Sequence, residues 1–187
     1  HSLMALRNCP SPDPLVRLAT LLHDVGKTKT RKVTQKGVVT FYNHEVVGGG
    51  MSKDIADRLK LSKKQKDKLW ILVRFHQFTV DERQTDSAIR RFIKNVGVEN
   101  LEDILALRTG DRLGGGARET SWRLEKFKKR LEEVQVQPFS VKDLAINGKD
   151  VMETLGIPSG PQVGKILNTL FAEVEEDLSR NNREYLL

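Results

Sequence analysis

Apolar residues recur at intervals of three and four along almost the whole sequence, and only Val38-Val39-Thr40-Phe41 offers a run suited to a strand. A chain patterned this way buries stripes on helices, which predicts an all-α fold. The capping signals agree. Asp13-Pro14 reads as an N-cap and first helical residue, with Leu15, Leu18, Ala19 and Leu22 as the buried stripe and Gly26 as the stop one turn after His23. The Val38–Phe41 run is long enough for a ribbon edge and no more. Asn43 caps a helix with His44 in its first turn, which passes Gly48-Gly49-Gly50 and ends near Leu59. Ser62 with Gln65 makes a capping box, after which Leu69, Leu72, Val73 and His76 share one face. Thr85 or Asp86 opens a helix that Gly97 ends; Asn100 opens the next, whose inward face runs Ile104, Leu107, Asp111. Beyond Gly114-Gly115-Gly116 the pattern predicts a long amphipathic helix from about Arg118 to Val134.

Pro138 marks the change to a second, smaller unit. Ser140 and Asp143 form a capping pair, Asn147-Gly148 reads as a turn, and a short helix ends at Gly156. After Pro158-Ser159-Gly160-Pro161 a final helix runs through Ile166, Leu170 and Val174. The expected organisation is a helical bundle over residues 1–136 and a small helical unit over 137–187.

Composition limits what such a bundle can be. One cysteine, Cys9, cannot close an internal disulfide, which excludes a disulfide-stapled secreted scaffold and leads us to expect a reducing, cytoplasmic setting. No apolar run approaches the roughly 20 residues of a bilayer span, so no membrane partner is expected. A sequence that begins at His1 without an initiator methionine reads as part of something longer. The net charge of +7 is unevenly placed: residues 1–136 carry 27 basic and 17 acidic side chains, a net of +10, and residues 137–187 carry 5 and 8, a net of −3. A basic body of this kind fits a polyanion such as RNA, and it fits simple solubility as well. The stretch from Thr28 to Lys36 holds Lys29, Arg31, Lys32 and Lys36 with no acidic residue, and Lys63, Lys64 and Lys66 and then Lys126, Lys128, Lys129 and Arg130 form further clusters.

Of the four histidines, His23, His44 and His76 fall at helix ends or on inward faces, and Asp24 and Asp111 join them. Imidazole together with carboxylate suits Mn, Fe, Co, Ni or Zn, whereas Mg leans on oxygen alone. A metal held there would lower the pKa of a water and bind a phosphate oxygen, as phosphoester hydrolysis requires. Each residue also has a plainer reading. His76 fits a hydrogen-bonded core position, His44 fits the surface of a first turn, and neighbours such as His23 and Asp24 diverge by about 100° on a regular helix. Asp111 is harder to dismiss, because an inward carboxylate needs a partner, whether a metal, Arg112 or a histidine. In the second unit, Gly160-Pro161-Gln-Val-Gly164-Lys165 opens a helix where backbone N–H groups and Lys165 suit a phosphate, or where a Gly-Pro turn serves packing alone.

Leu-Leu-His23-Asp24-Val-Gly-Lys27 resembles the core motif of the HD phosphohydrolase superfamily. On that resemblance His1 matches the leading histidine and Asp111, in Leu-Arg-Thr-Gly-Asp-Arg, the distant aspartate. His44 and His76 match positions that some members use for a second metal. Phe41-Tyr-Asn-His-Glu, Asp143-Leu-Ala-Ile-Asn-Gly-Lys-Asp150 and Leu155-Gly-Ile-Pro-Ser-Gly-Pro161-Gln-Val-Gly164-Lys165 are similar to the C-terminal half of bacterial tRNA nucleotidyltransferases of the CCA-adding and poly(A) polymerase family. The resemblance covers essentially the whole sequence. It implies an HD-type bundle in which His1, His23, Asp24 and Asp111 hold a divalent metal (Mn, Ni, Fe, Co, Zn or Mg), with His44 and His76 completing the site. His23, Asp24 and Lys27 would then serve catalysis on a nucleotide phosphate, a 2′-phosphate or 2′,3′-cyclic phosphate. Lys29, Arg31, Lys32, Arg112, Lys128, Lys129, Gly160, Gly164 and Lys165 would meet phosphate or RNA, with tRNA as the partner. A helical body that only binds and orients the tRNA acceptor arm is the alternative. The parent enzyme of that family would need Mg and CTP or ATP for polymerisation, which no motif in this sequence supports.

Overall fold

The computed structural model describes residues 1–81, 83–136 and 140–187. The fold is all-α. In chain order the helices are α1 (Ser2–Asn8), α2 (Pro14–Leu22), α3 (Lys27–Thr30), α4 (His44–Arg58), α5 (Lys63–Phe75), α6 (Asp86–Val96), α7 (Leu101–Gly114), α8 (Trp122–Val136), α9 (Gly148–Leu155), α10 (Pro161–Glu176) and α11 (Arg183–Leu186). Between α3 and α4, β1 (Lys32–Val33) and β2 (Val39–Thr40) pair antiparallel in a two-residue ribbon, with Lys32 opposite Thr40. Among the described residues no helix is long and apolar enough to cross a membrane.

The chain forms two compact units, His1–Asp81 with Phe92–Lys126, and Glu82–Arg91 with Phe127–Leu187. The boundary expected at Pro138 lies outside the described residues.

In the first unit α2 packs on α1, α5 and α7, and α4 packs on α5. Val16 and Ala19 of α2, Leu69, Leu72 and Val73 of α5, and Ile104 and Leu107 of α7 are fully buried. Burial of such side chains is worth roughly 1.5–3 kcal/mol each, and it fixes which face of each helix turns inward. Lys68 on α5 joins the others by ion pairs to Asp13 (2.9 Å) and Asp103 (2.7 Å). Two approaches are closer than side chains allow. A Cβ on Gly26 would lie 2.0 Å from the His44 carbonyl oxygen, so α4 rests directly on backbone there. Cβ atoms on Gly110 and Gly114 would fall 2.7 Å from the Ala5 oxygen and 2.5 Å from the Ala5 nitrogen, so α1 lies against bare α7 backbone.

Several expectations are corrected. Gly26 does not stop α2, which ends at Leu22, because the His23 ring takes the Thr20 carbonyl (Nδ1 to O, 2.7 Å) that the next helical turn would use. Gly26 has an ordinary right-handed backbone (φ −65°) and serves close packing. Asn43 precedes α4 but makes no side-chain cap; its backbone is left-handed (φ 59°). The long helix starts at Trp122 and not at Arg118, since Arg112 holds the carbonyls of Arg118 (3.1 Å) and Thr120 (3.3 Å) and Ser121 Oγ caps Leu124 N–H.

In the second unit Leu144, Ile146, Val151, Val163, Val174 and Leu186 form an apolar core, with Phe171 and Leu170 at its margin. Polar side chains frame it from outside. Asn147-Gly148 is a helix start and not a free turn: Asn147 Oδ1 accepts from Lys149 and Asp150 N–H while Asp150 accepts from Asn147 N–H. Ser140 and Asp143 form the expected capping box, and Gly156 ends α9 in the left-handed region (φ 63°). The helix through Ile166, Leu170 and Val174 is α10, and it is followed by α11, whose Arg183 pairs with Asp150 at 2.7 Å.

Candidate metal centre

His23 and His76 stand at the C-terminal ends of α2 and α5, and His44 opens α4. All three are buried. Each Nδ1 lies within hydrogen-bond distance of the carbonyl three residues back: His23 to Thr20 (2.7 Å), His44 to Phe41 (2.9 Å) and His76 to Val73 (2.8 Å). A carbonyl only accepts, so Nδ1 carries the proton and Nε2 is the nitrogen left to face the site. Those Nε2 atoms converge. His44 Nε2 is 3.4 Å from His76 Nε2, and His23 Nε2 is 3.1 Å from Nε2 of His1, the residue before α1.

Asp24 lies between the two pairs. Its Oδ2 is 3.3 Å from His23 and 3.6 Å from His1, and its Oδ1 is 3.4 Å from His44 and 3.9 Å from His76. Asp111 on α7 closes the other side, with Oδ1 3.0 Å from His1 and 3.4 Å from His23. The potential ligand atoms form two sets, His1–His23–Asp111 and Asp24–His44–His76, each lying within 4.8 Å of one another.

Acceptor nitrogens at such distances repel unless a positive charge sits between them, and either a proton or a divalent ion supplies one. The charges of the cluster carry that signature. Burial opposes the imidazolium at His23, but hydrogen bonds to Asp111 and Asp24 outweigh it and raise its pKa to about 9. Burial, with His23 and His44 nearby, pushes His76 down to about 4. Burial opposes ionisation of Asp24 and Asp111 as well, yet His23 holds both below the usual carboxylate range, with help from Lys27 at Asp24 and Arg108 at Asp111. The donor set fits a borderline divalent cation, and the backbone-bonded Nδ1–H of each buried ring is the orientation that ligating histidines use.

All six sequence-predicted metal ligands therefore meet at one place. Lys27 Nζ is 2.7 Å from Asp24 Oδ2 and borders a groove of about 550 Å³ that also contains His44, Phe41 and Gln77. The residues expected to meet phosphate are more dispersed. Lys29, Arg31 and Lys32 are exposed around the ribbon, and Lys129 is exposed with Glu133 at 3.7 Å. Lys128 is half-buried, and Arg130 is committed to the Gln84 carbonyl and Asp86. Arg112 grips its own downstream loop. Gly160, Gly164 and Lys165 are exposed at the start of α10, with open space where either glycine would carry a Cβ. Sequence reasoning missed Arg108, whose Nη1 lies 3.4 Å from Asp111 Oδ2; its place one helical turn before Asp111 was the available signal.

The fold and site define an all-α protein whose first unit gathers four histidines and two aspartates in one cluster. Residues 47–187 match the family of tRNA nucleotidyltransferase domain 2, so the chain belongs to the tRNA nucleotidyltransferase family. It is similar to the A-adding tRNA nucleotidyltransferase of Deinococcus radiodurans (34% identical, over 91% of this chain and 39% of that protein) and to the CC-adding tRNA nucleotidyltransferase of Thermus thermophilus (32%, with 91% and 39% covered). The chain thus spans about two fifths of the length of these curated relatives.

Proposed function

We propose that the histidine–aspartate cluster is the site of an HD-type, metal-dependent phosphohydrolase acting on 2′-phosphate or 2′,3′-cyclic phosphate ends. On this reading residues 1–136 form the HD-type domain and 137–187 contribute to RNA binding, within a protein that works on tRNA as the two relatives are named for doing. The observation that carries the hydrolase reading is the convergence of four imidazole nitrogens and two carboxylates, three of the rings locked by their own backbone. His1, His23, Asp24, Asp111, His44 and His76 would hold the metal, with Asp24 reaching both sets. A bound divalent ion supplies Lewis acidity toward a water and a phosphate oxygen. Lys27 offsets carboxylate charge at Asp24 and is placed to offset phosphate charge in the adjoining groove. In hydrolysis of a 2′,3′-cyclic phosphate the water oxygen bonds to phosphorus, one ester P–O bond breaks, and the released ribose oxygen takes a proton. No residue of this chain is assigned to nucleotide addition.

The test is hydrolysis of a 2′,3′-cyclic nucleotide by the chain supplied with Mn or Ni, with Mn affinity followed separately by calorimetry. Asp24→Ala should lower kcat/KM by about 100-fold or more and weaken Mn binding in parallel. Hydrolysis and Mn affinity that both survive Asp24→Ala would reject the reading. For the RNA part, tRNA affinity is measured against salt for the wild type and for Lys128→Glu/Lys129→Glu. The slope should shrink by about 0.7–0.9 for each phosphate that the variant no longer neutralises, and an unchanged slope would make that stretch a solvated helix face.

A further inference from the structure

The groove of about 550 Å³ beside the cluster is walled by His44, whose Nε2 faces the other ligand atoms, and by Lys27, whose Nζ is 2.7 Å from Asp24 Oδ2. Its size falls within the roughly 300–1,000 Å³ of sites that hold small organic ligands. The turn from Phe41 to His44 forms one side of it. The Phe41 carbonyl accepts from the His44 backbone N–H (3.2 Å) and from the His44 ring Nδ1 (2.9 Å), so one turn both folds the chain and aims His44 at the cluster. Asn43 completes that turn in the left-handed region (φ 59°), uncommon for a residue other than glycine, and its side chain makes no cap on α4.

The same turn presents Tyr42. This residue lines the groove, is 79% exposed, and makes no hydrogen bond or ring contact among the described residues. An exposed ring by itself says little, but this one stands two residues from a histidine of the cluster. The neighbouring ring is already covered, since the Lys27 ammonium lies over Phe41 (5.6 Å). Charge in the groove points away from a second anion. Glu45 places a carboxylate there, and Lys27, the one lysine or arginine among its described lining residues, is paired with Asp24. An uncharged flat group suits these walls better, with a bare aromatic face at Tyr42 and, at Gln77, an amide that both donates and accepts.

Resting on the hydrolase reading of the cluster, we infer that the groove holds the base of the nucleotide whose phosphate reacts, stacked on the Tyr42 ring. The substrates are then nucleoside phosphates and not simple phosphate esters. Tyr42 selects for the presence of a base and only weakly among bases, because every base offers a π-face to an aromatic ring.

The experiment compares kcat/KM for adenosine 2′,3′-cyclic phosphate and for methyl ribofuranoside 2,3-cyclic phosphate, which has the same reacting group and no base. Wild-type protein with Mn should prefer the adenosine compound by about tenfold or more. Tyr42→Ala should bring that ratio close to one and Tyr42→Phe should keep it, with circular dichroism confirming the fold of both. No preference in the wild type, a preference that survives Tyr42→Ala, or one that collapses equally in Tyr42→Phe overturns the inference. A trinucleotide ending in adenosine 2′,3′-cyclic phosphate should lose as much in Tyr42→Ala as the mononucleotide does; a loss confined to the trinucleotide would assign the ring to an upstream base and overturn the inference too. If the wild type hydrolyses nothing, the hydrolase reading falls, and the groove is decided by calorimetric titration of the protein with Mn against adenosine 2′-phosphate and inorganic phosphate. Binding of adenosine 2′-phosphate about tenfold tighter than phosphate, with the margin lost in Tyr42→Ala, upholds the base site; absent binding, equal affinities or a margin that ignores Tyr42 rejects it.

Discussion

The first unit and the 140–187 part of the second unit handle polar groups differently. Over residues 140–187 the second unit surrounds an apolar core of Leu144, Ile146, Val151, Val163, Val174 and Leu186 with capping side chains, of which Asn147 and Ser140 stay at the surface. The first unit places three histidines inside, and it brings its helices together over glycine backbone at Gly26, Gly110 and Gly114. Stability in the second unit comes from burial and caps. In the first, part of the same burial is set against the cost of keeping imidazoles and carboxylates away from water. Buried charge of that kind marks chemistry more often than it marks stability.

Glycine substitutions probe the contrast most strongly. Gly26→Ala puts a methyl against the His44 carbonyl and Gly48 nitrogen, backbone atoms that cannot step aside, and should destabilise the protein by about 3 kcal/mol, near the upper end for overpacking. Chemical denaturation should report that loss, and Mn affinity should fall with it because Gly26 sets His44 against Asp24. A fully stable Gly26→Ala would break the claim that backbone contact positions the site.

Smaller in size is a difference in pH response. His23 is raised to about 9, so without metal its contribution to the first unit is fully present below about 6.5 and is lost as pH rises through about 9. Asp150 in the second unit is lowered by the Asn147 backbone hydrogen bond and by Arg183, so its contribution is present above its ordinary value of 3.8 and is lost in acid. Denaturation midpoints from pH 3 to 10 should show both limbs. His23→Gln should remove the alkaline limb and weaken the acid one, because His23 also holds Asp24 and Asp111 below the usual carboxylate range.

Next comes the cap. Asn147→Ala should cost about 1 kcal/mol, since two N–H groups of α9 lose their acceptor, and should leave Mn affinity unchanged. A change in Mn affinity would show that the units are not energetically separate. Smallest of all, Gly164→Ala should stabilise α10 by up to about 1 kcal/mol, because open space surrounds that position. If tRNA affinity nevertheless falls in that variant, bare backbone at the start of α10 serves RNA contact and not packing.

Much of this molecule was written in local spacing. Asp13-Pro14, the Ser62–Gln65 box, Gly97 and Gly156 mark helix ends because capping depends on residues within one turn of one another. Five residues of the cluster, His23, Asp24, His44, His76 and Asp111, could likewise be named from helix ends and inward faces, whereas His1 followed only from the resemblance to the HD motif. Local rules failed where a distant group competed for the same backbone. The His23 ring ends α2 before Gly26, and Arg112 delays α8 to Trp122. Nor could spacing say that His1 and Asp111, 110 residues apart, would meet at 3.0 Å, or that Lys27 and Gln77 would border one groove with His44. Those facts follow from how closely helices approach, which glycine permits at Gly26, Gly110 and Gly114 by presenting backbone where other residues present a side chain. The sequence by itself therefore determined the helices, their inward faces and the identity of the chemical groups. Only the tertiary structure decided their distances, because coordination and charge pairing act over a few ångströms between residues that the chain order leaves far apart.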